Sequence, residues 1–347
     1  MEQDNSTEFN HLKPTILNIP AERVYSVAKV YADYCKQQSR YYWDYEQCVE
    51  FSFGEISQYE IINKIGRGKY SEVFRGCFTK DHKKLCVIKI LKPVKMKKIY
   101  REFHILTHLT GGKNIVTLYD IVQDPQSKIP ALIFENVAHV DHKKVFQTFR
   151  VPEMQNYFQQ LLSALDFAHS KGIMHRDVKP QNVMYDPVRK TLRLIDWGLA
   201  EFYHAGVEYN VRVASRHYKG PELLINLRQY DYSLDLWSVG CVLASIMFAV
   251  EPLFKGDSNT DQLIKIAQIM GTEDLMQYLR KYGLLLPDEY KGLLKNFPRK
   301  PWSKFISESN LFKCPPQAVD LLDNLLVYDH QKRLTAAEAL EHPFFKL

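Results

Sequence analysis

His175-Arg176-Asp177-Val178-Lys179-Pro180-Gln181-Asn182, followed after a short apolar run by Ile195-Asp196-Trp197-Gly198, carries the densest chemical information in the chain. A carboxylate, an ammonium and an amide fall on one tight loop, and a second carboxylate follows the strand-like run Leu192 to Ile195. This set suits phosphoryl transfer: Asp177 to orient a hydroxyl and accept its proton, Lys179 to neutralise phosphate charge, Asn182 and Asp196 as oxygen ligands of Mg²⁺. Acidic loop residues are usually only solvated, so the reading depends on whether the rest of the chain supplies a phosphate clamp.

Upstream it does. Ile65-Gly66-Arg67-Gly68-Lys69-Tyr70-Ser71-Glu72-Val73 lies between two strand candidates. Glycines there let the backbone approach a triphosphate and present amide N–H groups, although a lone G-x-G is equally often a hairpin turn. Ser71 takes the place of a usual third glycine, and Val73 suits packing over a flat adenine ring. Lys89, in Cys86-Val87-Ile88-Lys89-Ile90, puts a charge into an apolar strand and needs a partner if it points inward. Glu102, on the helix expected next, is the natural one.

The rest of the 347 residues bounds the class. Hydrophobic residues at 46% and charged residues at 25% are near average usage, which excludes a disordered or fibrous chain. The net charge of +6 leaves acidic protein, nucleic acid or a membrane surface as partners. Six cysteines without a C-x-x-C pair argue against a zinc site or a disulfide framework and for a reducing compartment. The N-terminus lacks a secretory pattern, and the apolar run Leu236 to Val250 is too short to span a bilayer, so it reads as a buried helix.

Periodicity divides the chain. Residues 1 to about 55 are polar and aromatic, and Tyr41-Tyr42-Trp43-Asp44-Tyr45 is too rich in rings to be a free tail. β-prone runs at Tyr59 to Ile65, Ser71 to Cys77 and Leu85 to Leu91 predict a small antiparallel sheet. A helix from about Lys95 to Leu109, closed by Gly111-Gly112, and strands at Ile115 to Val122 and Ala131 to Val137 follow. Beyond Asp141 the pattern is helical. The expected division is a packing segment 1–55, a nucleotide-binding lobe 56–137, and a lobe 138–347 with the catalytic loop, activation segment and substrate groove.

The ordered motifs resemble those of eukaryotic protein kinases. Asp196-Trp197-Gly198, Gly220-Pro221-Glu222, Tyr41 to Glu46, Ile90-Leu91-Lys92-Pro93-Val94-Lys95 and Tyr209-Asn210-Val211-Arg212-Val213-Ala214-Ser215-Arg216 are similar to the casein kinase II catalytic (alpha) subunits, over about residues 20 to 345. The resemblance implies an α+β bilobal kinase fold, with a small antiparallel sheet lobe and a larger, mainly helical lobe. It implies ATP and Mg²⁺, with GTP open as a second donor. Nucleotide contacts are expected from Ile65, Gly66, Arg67, Gly68, Lys69, Tyr70, Ser71, Val73, Val87, Lys89, Glu102, Glu135, Val137, Asn182, Met184, Ile195 and Asp196, metal ligands from Asn182 and Asp196, and catalysis from Asp177, Lys179 and Lys89. Glu222 is expected to pair with Arg333, and Asp235 to hold the catalytic loop.

That family phosphorylates Ser and Thr followed by acidic residues. Lys95, Lys97, Lys98 and Arg101 at the start of the helix carrying Glu102, with Arg212, Arg216 and Lys219 in the activation segment, are the expected acid-binding groups. Met96 and Tyr100 interrupt the basic run, which is more continuously lysine in the family, and this predicts a weaker acidic preference. The family's N-terminal segment packs on the activation segment and holds it active, and here Leu199 to Lys219 contains no threonine. The resemblance also implies a dimeric regulatory beta subunit, giving a heterotetramer, docked on Ile61, Phe74, Ile88, Ile90, Val122 and Ile133, and residence in cytoplasm and nucleus. Three alternatives are a pseudokinase scaffold, a related kinase switched by loop phosphorylation, and a nucleic-acid site on the basic cluster. Retention of Lys89, Asp177, Asn182 and Asp196 speaks against the first, the threonine-free segment against the second. No nucleic-acid motif supports the third, and no membrane partner is expected.

Overall fold

The computed structural model describes residues 26–47, 52–68, 70–93 and 96–347. Lys69, Val94, Lys95 and the segments 1–25 and 48–51 lie outside the described residues, so expectations placed on them are carried no further. Five strands, β1 (Tyr59–Arg67), β2 (Ser71–Phe78), β3 (Asp81–Leu91), β4 (Leu118–Gln123) and β5 (Pro130–Glu135), form one antiparallel sheet in the order β1-β2-β3-β5-β4. The third begins before its apolar run, with the polar stretch Asp81 to Lys84, where Asp81 pairs with Phe78 across an irregularity in the register. Two short helices precede the sheet, α1 (Tyr34–Gln37) and α2 (Arg40–Trp43).

One longer helix packs on the sheet, α3 (Met96–Leu109). Its buried face, Ile99, Glu102, Phe103, Leu106 and Leu109, follows the i, i+3, i+4 spacing of an amphipathic helix, with one carboxylate inside the apolar stripe. The helical part follows with α4 (His142–Thr148) and α5 (Val151–Ser170). Short pairs β6 (Ile173–Met174) with β9 (Glu201–Phe202) and β7 (Val183–Asp186) with β8 (Thr191–Leu194) bracket the functional loops. Then come α6 (Pro221–Leu224), α7 (Ser233–Phe248), α8 (Asn259–Met270), α9 (Glu273–Lys281), α10 (Pro316–Leu325) and α11 (Ala336–Leu340). The run Leu234 to Phe248 in α7 is buried on every side, as its near-continuous apolar sequence requires. The small antiparallel sheet set against a larger helical part is the bilobal kinase architecture.

Two expectations are corrected. Of the six apolar positions assigned to partner docking, Ile88, Val122 and Ile133 are buried at 5%, 1% and 0% exposure, closing a small core with Cys86 and Ala131. Alternation along a strand identifies a face but not which face is covered, and only Ile61, at 49%, is well exposed. Among the rings Tyr41 to Tyr45, Tyr41 points to solvent at 73% exposure while the others pack.

Candidate active site

Lys89 stands mid-strand on β3, opposite Val73 on β2 and Leu132 on β5. Its ammonium reaches Glu102 Oε1 of α3 at 2.7 Å and Asp196 Oδ1 at 2.9 Å. Burial disfavours the charged lysine, but the Asp196 and Glu102 carboxylates outweigh it and hold Lys89 above its ordinary pKa. The Lys89 ammonium in turn pulls the Asp196 carboxyl down to about 2. Lys89 and Asp196 are therefore charged at neutral pH. A Cβ on Gly198 would sit 3.2 Å from Glu102 Oε2, so a side chain there would crowd the pair.

Asn182 and Asp196 are brought together by the β7–β8 ladder. Val183 opposes Leu194, and the Ile195 N–H donates to the Asn182 carbonyl at 2.9 Å, so the residues at the ends of the two strands face one another. Asp196 has φ 60°, in the left-handed region that costs ~1–3 kcal/mol outside glycine; Arg176 (φ 66°) and Ala214 (φ 62°) on the adjoining loops share it. Three strained residues around one cluster mark a place where the surroundings dictate the backbone. Asn182 directs Nδ2 at the Asp177 carbonyl (2.8 Å), which leaves its amide oxygen, with the Asp196 carboxylate, as a hard all-oxygen donor set that fits Mg²⁺.

Asp177 is buried yet fully engaged. Its Oδ1 accepts from the Ser215 N–H at 2.8 Å and the Ser215 hydroxyl at 2.9 Å; its Oδ2 accepts from Lys179 Nζ at 2.7 Å and Asn182 Nδ2 at 3.1 Å. Asp235 of α7 accepts the backbone N–H groups of His175 and Arg176, both at 2.8 Å, and faces His169 at 2.9 Å, which pins the loop. The Asp177 N–H donates to His175 Nδ1, so His175 carries its proton on Nε2, aimed at the Ile195 carbonyl. Trp197 is buried edge-on against this imidazole, with centroids 4.6 Å apart.

The glycine turn is held by a short set of hydrogen bonds. Neither Gly66 nor Gly68 has positive φ, so left-handed backbone is not what requires glycine there. The Gly68 N–H donates to the Ser71 carbonyl and Lys92 Nζ to the Gly68 carbonyl, both at 2.9 Å, and Glu72 pairs with Lys64. Ile65 and Tyr70 are exposed on the turn, and Val73 lies beside Lys89 in register. Val87, Met184 and Ile195 are half-buried. Glu135 spends its carboxylate on Thr117 and Arg193, and its N–H on the Thr117 carbonyl. The Val137 carbonyl faces His139.

The basic residues separate into two groups. A cavity of about 590 Å³ is lined by Lys97, Lys98, Arg101, Arg176 and Arg212, beside rings of Trp43 and Tyr45. Lys97 pairs with Glu46, and Arg101 with Glu201 (2.9 Å) and the Gly198 carbonyl. Lys98, over the Tyr70 ring at 5.3 Å, and exposed Arg212 form no ion pair among the described residues. Lys219 is not in this cavity: its ammonium is buried and donates to the Val213 carbonyl, and burial lowers its pKa. Arg216 turns instead to the Asp257 carbonyl. Spacing placed both in the activation segment but could not give the direction of a side chain.

Sequence reasoning singled out the ring cluster Tyr41 to Tyr45 but missed the residues it and this segment fasten to. Arg176 donates to the Leu199 carbonyl at 2.7 Å and Tyr230 Oη at 3.0 Å and pairs with Glu201, while the Tyr45 hydroxyl also reaches Glu201. The Tyr42 hydroxyl donates to the Lys171 carbonyl, and the Tyr42 carbonyl accepts from His104 and His108 of α3. Trp43 packs on His204, and Tyr45 stacks on Phe202. Two histidines four apart on one helix were a visible signal; nothing in the sequence pointed to Tyr230.

The protein kinase domain family matches residues 59–345. The chain is 65% identical to casein kinase II subunit alpha' of Saccharomyces cerevisiae over 337 residues, 96% of this chain and 98% of that protein.

Proposed function

The chain belongs to the protein kinase family and, within it, to the casein kinase II catalytic subunits; for this serine/threonine protein kinase we propose an activity that needs no prior phosphorylation and is directed to Ser or Thr followed by acidic residues. The observation that carries the reading is the assembled Lys89–Glu102–Asp196 triad beside Asp177, with Arg176 of the same loop already paired to Glu201. Asp177 orients the substrate hydroxyl and takes its proton; Lys179, 2.7 Å from that carboxylate, steadies charge on the transferred group. Lys89 clamps the nucleotide phosphates with its charge secured by two carboxylates. Asn182 and Asp196 would hold Mg²⁺, which supplies charge neutralisation across the phosphates. The division into segment 1–55, lobe 56–137 and lobe 138–347 belongs to this reading, as do the nucleotide contacts along the glycine turn.

Acidic preference rests on Lys98 and Arg212, the cavity's lysine and arginine left without a carboxylate among the described residues. Ile61, with the half-buried Phe74 and Ile90, is the face proposed for a regulatory beta-subunit dimer in a heterotetramer. No helix among the described residues is long and apolar enough to cross a membrane; residence in cytoplasm and nucleus is proposed from the likeness to the casein kinase II catalytic subunits. ATP is the proposed donor, and GTP competition is read in the same assay. The test is phosphate transfer by the purified chain alone to a serine peptide followed by acidic residues and to a neutral control, with Asp196→Asn as blank. Transfer favouring the acidic peptide, and loss of that preference in Lys98→Ala/Arg212→Ala, is expected. Transfer only after treatment with another kinase would overturn it.

A further inference from the structure

Glu60 at the start of β1, Cys77 at the end of β2 and His82 at the start of β3 meet at the sheet end opposite the glycine turn, with one ligand atom from each within 4.8 Å of the others. The register explains why. Glu60 opposes Cys77 directly, so both side chains share a face, and the Phe78–Asp81 pairing folds His82 back over them. Cys77 is a buried free thiol at 3% exposure, while the His82 and Glu60 side chains open to solvent at 68% and 59%.

The thiol is within hydrogen-bond reach of the His82 ring, and the carboxylate lies just beyond it. Cys77 Sγ lies 3.5 Å from His82 Nδ1, and Glu60 Oε2 lies 3.6 Å from the same nitrogen. Two groups approach one ring nitrogen, and the N···O separation is beyond hydrogen-bond range. Both distances also match the corners of a shared cation site. For tetrahedral Zn²⁺, with bonds of about 2.3 Å to sulfur and about 2.0–2.1 Å to nitrogen and oxygen, the ligand corners fall about 3.5 Å apart for S···N and about 3.3 Å for N···O.

We propose that Cys77, His82 and Glu60 form a three-ligand Zn²⁺ site that staples β1, β2 and β3, with water in the fourth position on the open side. A thiolate, an imidazole and a carboxylate suit zinc better than Mg²⁺ or Ca²⁺. On binding, the Cys77 S–H bond breaks, its electron pair forms the S–Zn bond and the proton passes to solvent. His82 would ligate through Nδ1 with its proton on Nε2, and Glu60 through a carboxylate oxygen. Binding therefore strengthens as pH rises. The site lies outside the phosphoryl-transfer cluster, and a search for paired cysteines passes over it because its ligands are of three kinds on three strands.

The test titrates the reduced full-length chain with Zn²⁺ alone against a competing chelator, with Mg²⁺ and a non-hydrolysable ATP analogue present to occupy the cleft carboxylates. One equivalent is expected, together with a rise in Tm. Co²⁺ in its place should give a thiolate-to-metal charge-transfer absorption. His82→Ala, a change at an exposed side chain that leaves the fold intact, should weaken binding about 100-fold or more, beyond the cost of losing an outer-shell partner, and abolish that absorption. Cys77→Ser should do the same. Zinc affinity that survives His82→Ala puts the metal elsewhere, at His104 and His108 for example, and overturns the assignment, as does a Co²⁺ complex without thiolate absorption.

Discussion

Asp177 receives hydrogen bonds from Ser215, Lys179 and Asn182, so its carboxylate is fixed before any substrate arrives. Fixing the base is what makes proton transfer efficient, and Asp177→Asn is expected to lower kcat by ~10²–10⁴ while leaving nucleotide affinity nearly unchanged. Steady-state kinetics alongside a nucleotide-binding titration separates these effects, and undiminished turnover would remove Asp177 from the role. A second single-residue test concerns the Glu222–Arg333 pair, buried at 0% on both sides, with Arg333 also donating to the Val327 and Tyr328 carbonyls. Removing one charge strands the other, so Arg333→Leu should cost about 3–5 kcal/mol in urea unfolding, and Glu222→Leu/Arg333→Leu less than the single change. The Lys89–Glu102 pair was legible in the sequence because Lys89 interrupted an apolar strand and needed a partner, and Glu102 lay on the helix expected next. Ser215 was not, because its tie to Asp177 spans a loop whose path no local periodicity encodes.

At the scale of elements, α3 faces the sheet through Glu102 and the N-terminal segment through His104 and His108. Both imidazoles offer Nε2 to the Tyr42 carbonyl, at 2.6 and 2.9 Å, and Tyr42 lies over His108 with centroids 4.0 Å apart. Burial first, then the neighbouring His104, lowers the His108 pKa from 6.5 to about 4; burial lowers His104 as well. The unfolded chain then takes up protons below about pH 6.5 that the folded chain refuses, so this contact contributes full stability above that pH and loses it as pH falls toward 4. His108→Asn should flatten the decline of stability over that window by on the order of 1–2 kcal/mol, read as Tm against pH. An equal decline in both proteins would place the titrating group elsewhere. The packing of Tyr42 to Tyr45 was anticipated from composition, since so many rings cannot remain solvated. The helix that receives them was not, because composition names a sticky segment without naming its counterpart.

Across the whole molecule one carboxylate joins four parts. Glu201 on β9 pairs with Arg101 of α3 and with Arg176 of the catalytic loop, takes the Tyr45 hydroxyl from the N-terminal segment, and itself opens the activation segment. Kinases that are switched by phosphorylation order this segment when a new phosphate pairs with arginine. Here a permanent negative charge already meets Arg176, whose side chain is only 3% exposed, so a phosphate has little left to supply. The proposed constitutive activity follows from that occupancy. Glu201→Gln keeps shape but removes the charge, leaving two arginines with weaker acceptors at a cost of about 1–3 kcal/mol in stability. It should also lower kcat more than it raises KM for ATP, because the loop is loosened and the phosphate clamp at Lys89 is not. Phosphatase treatment of the unaltered chain should change neither constant, whereas a fall in its kcat would mean that a phosphate, and not Glu201, orders the segment.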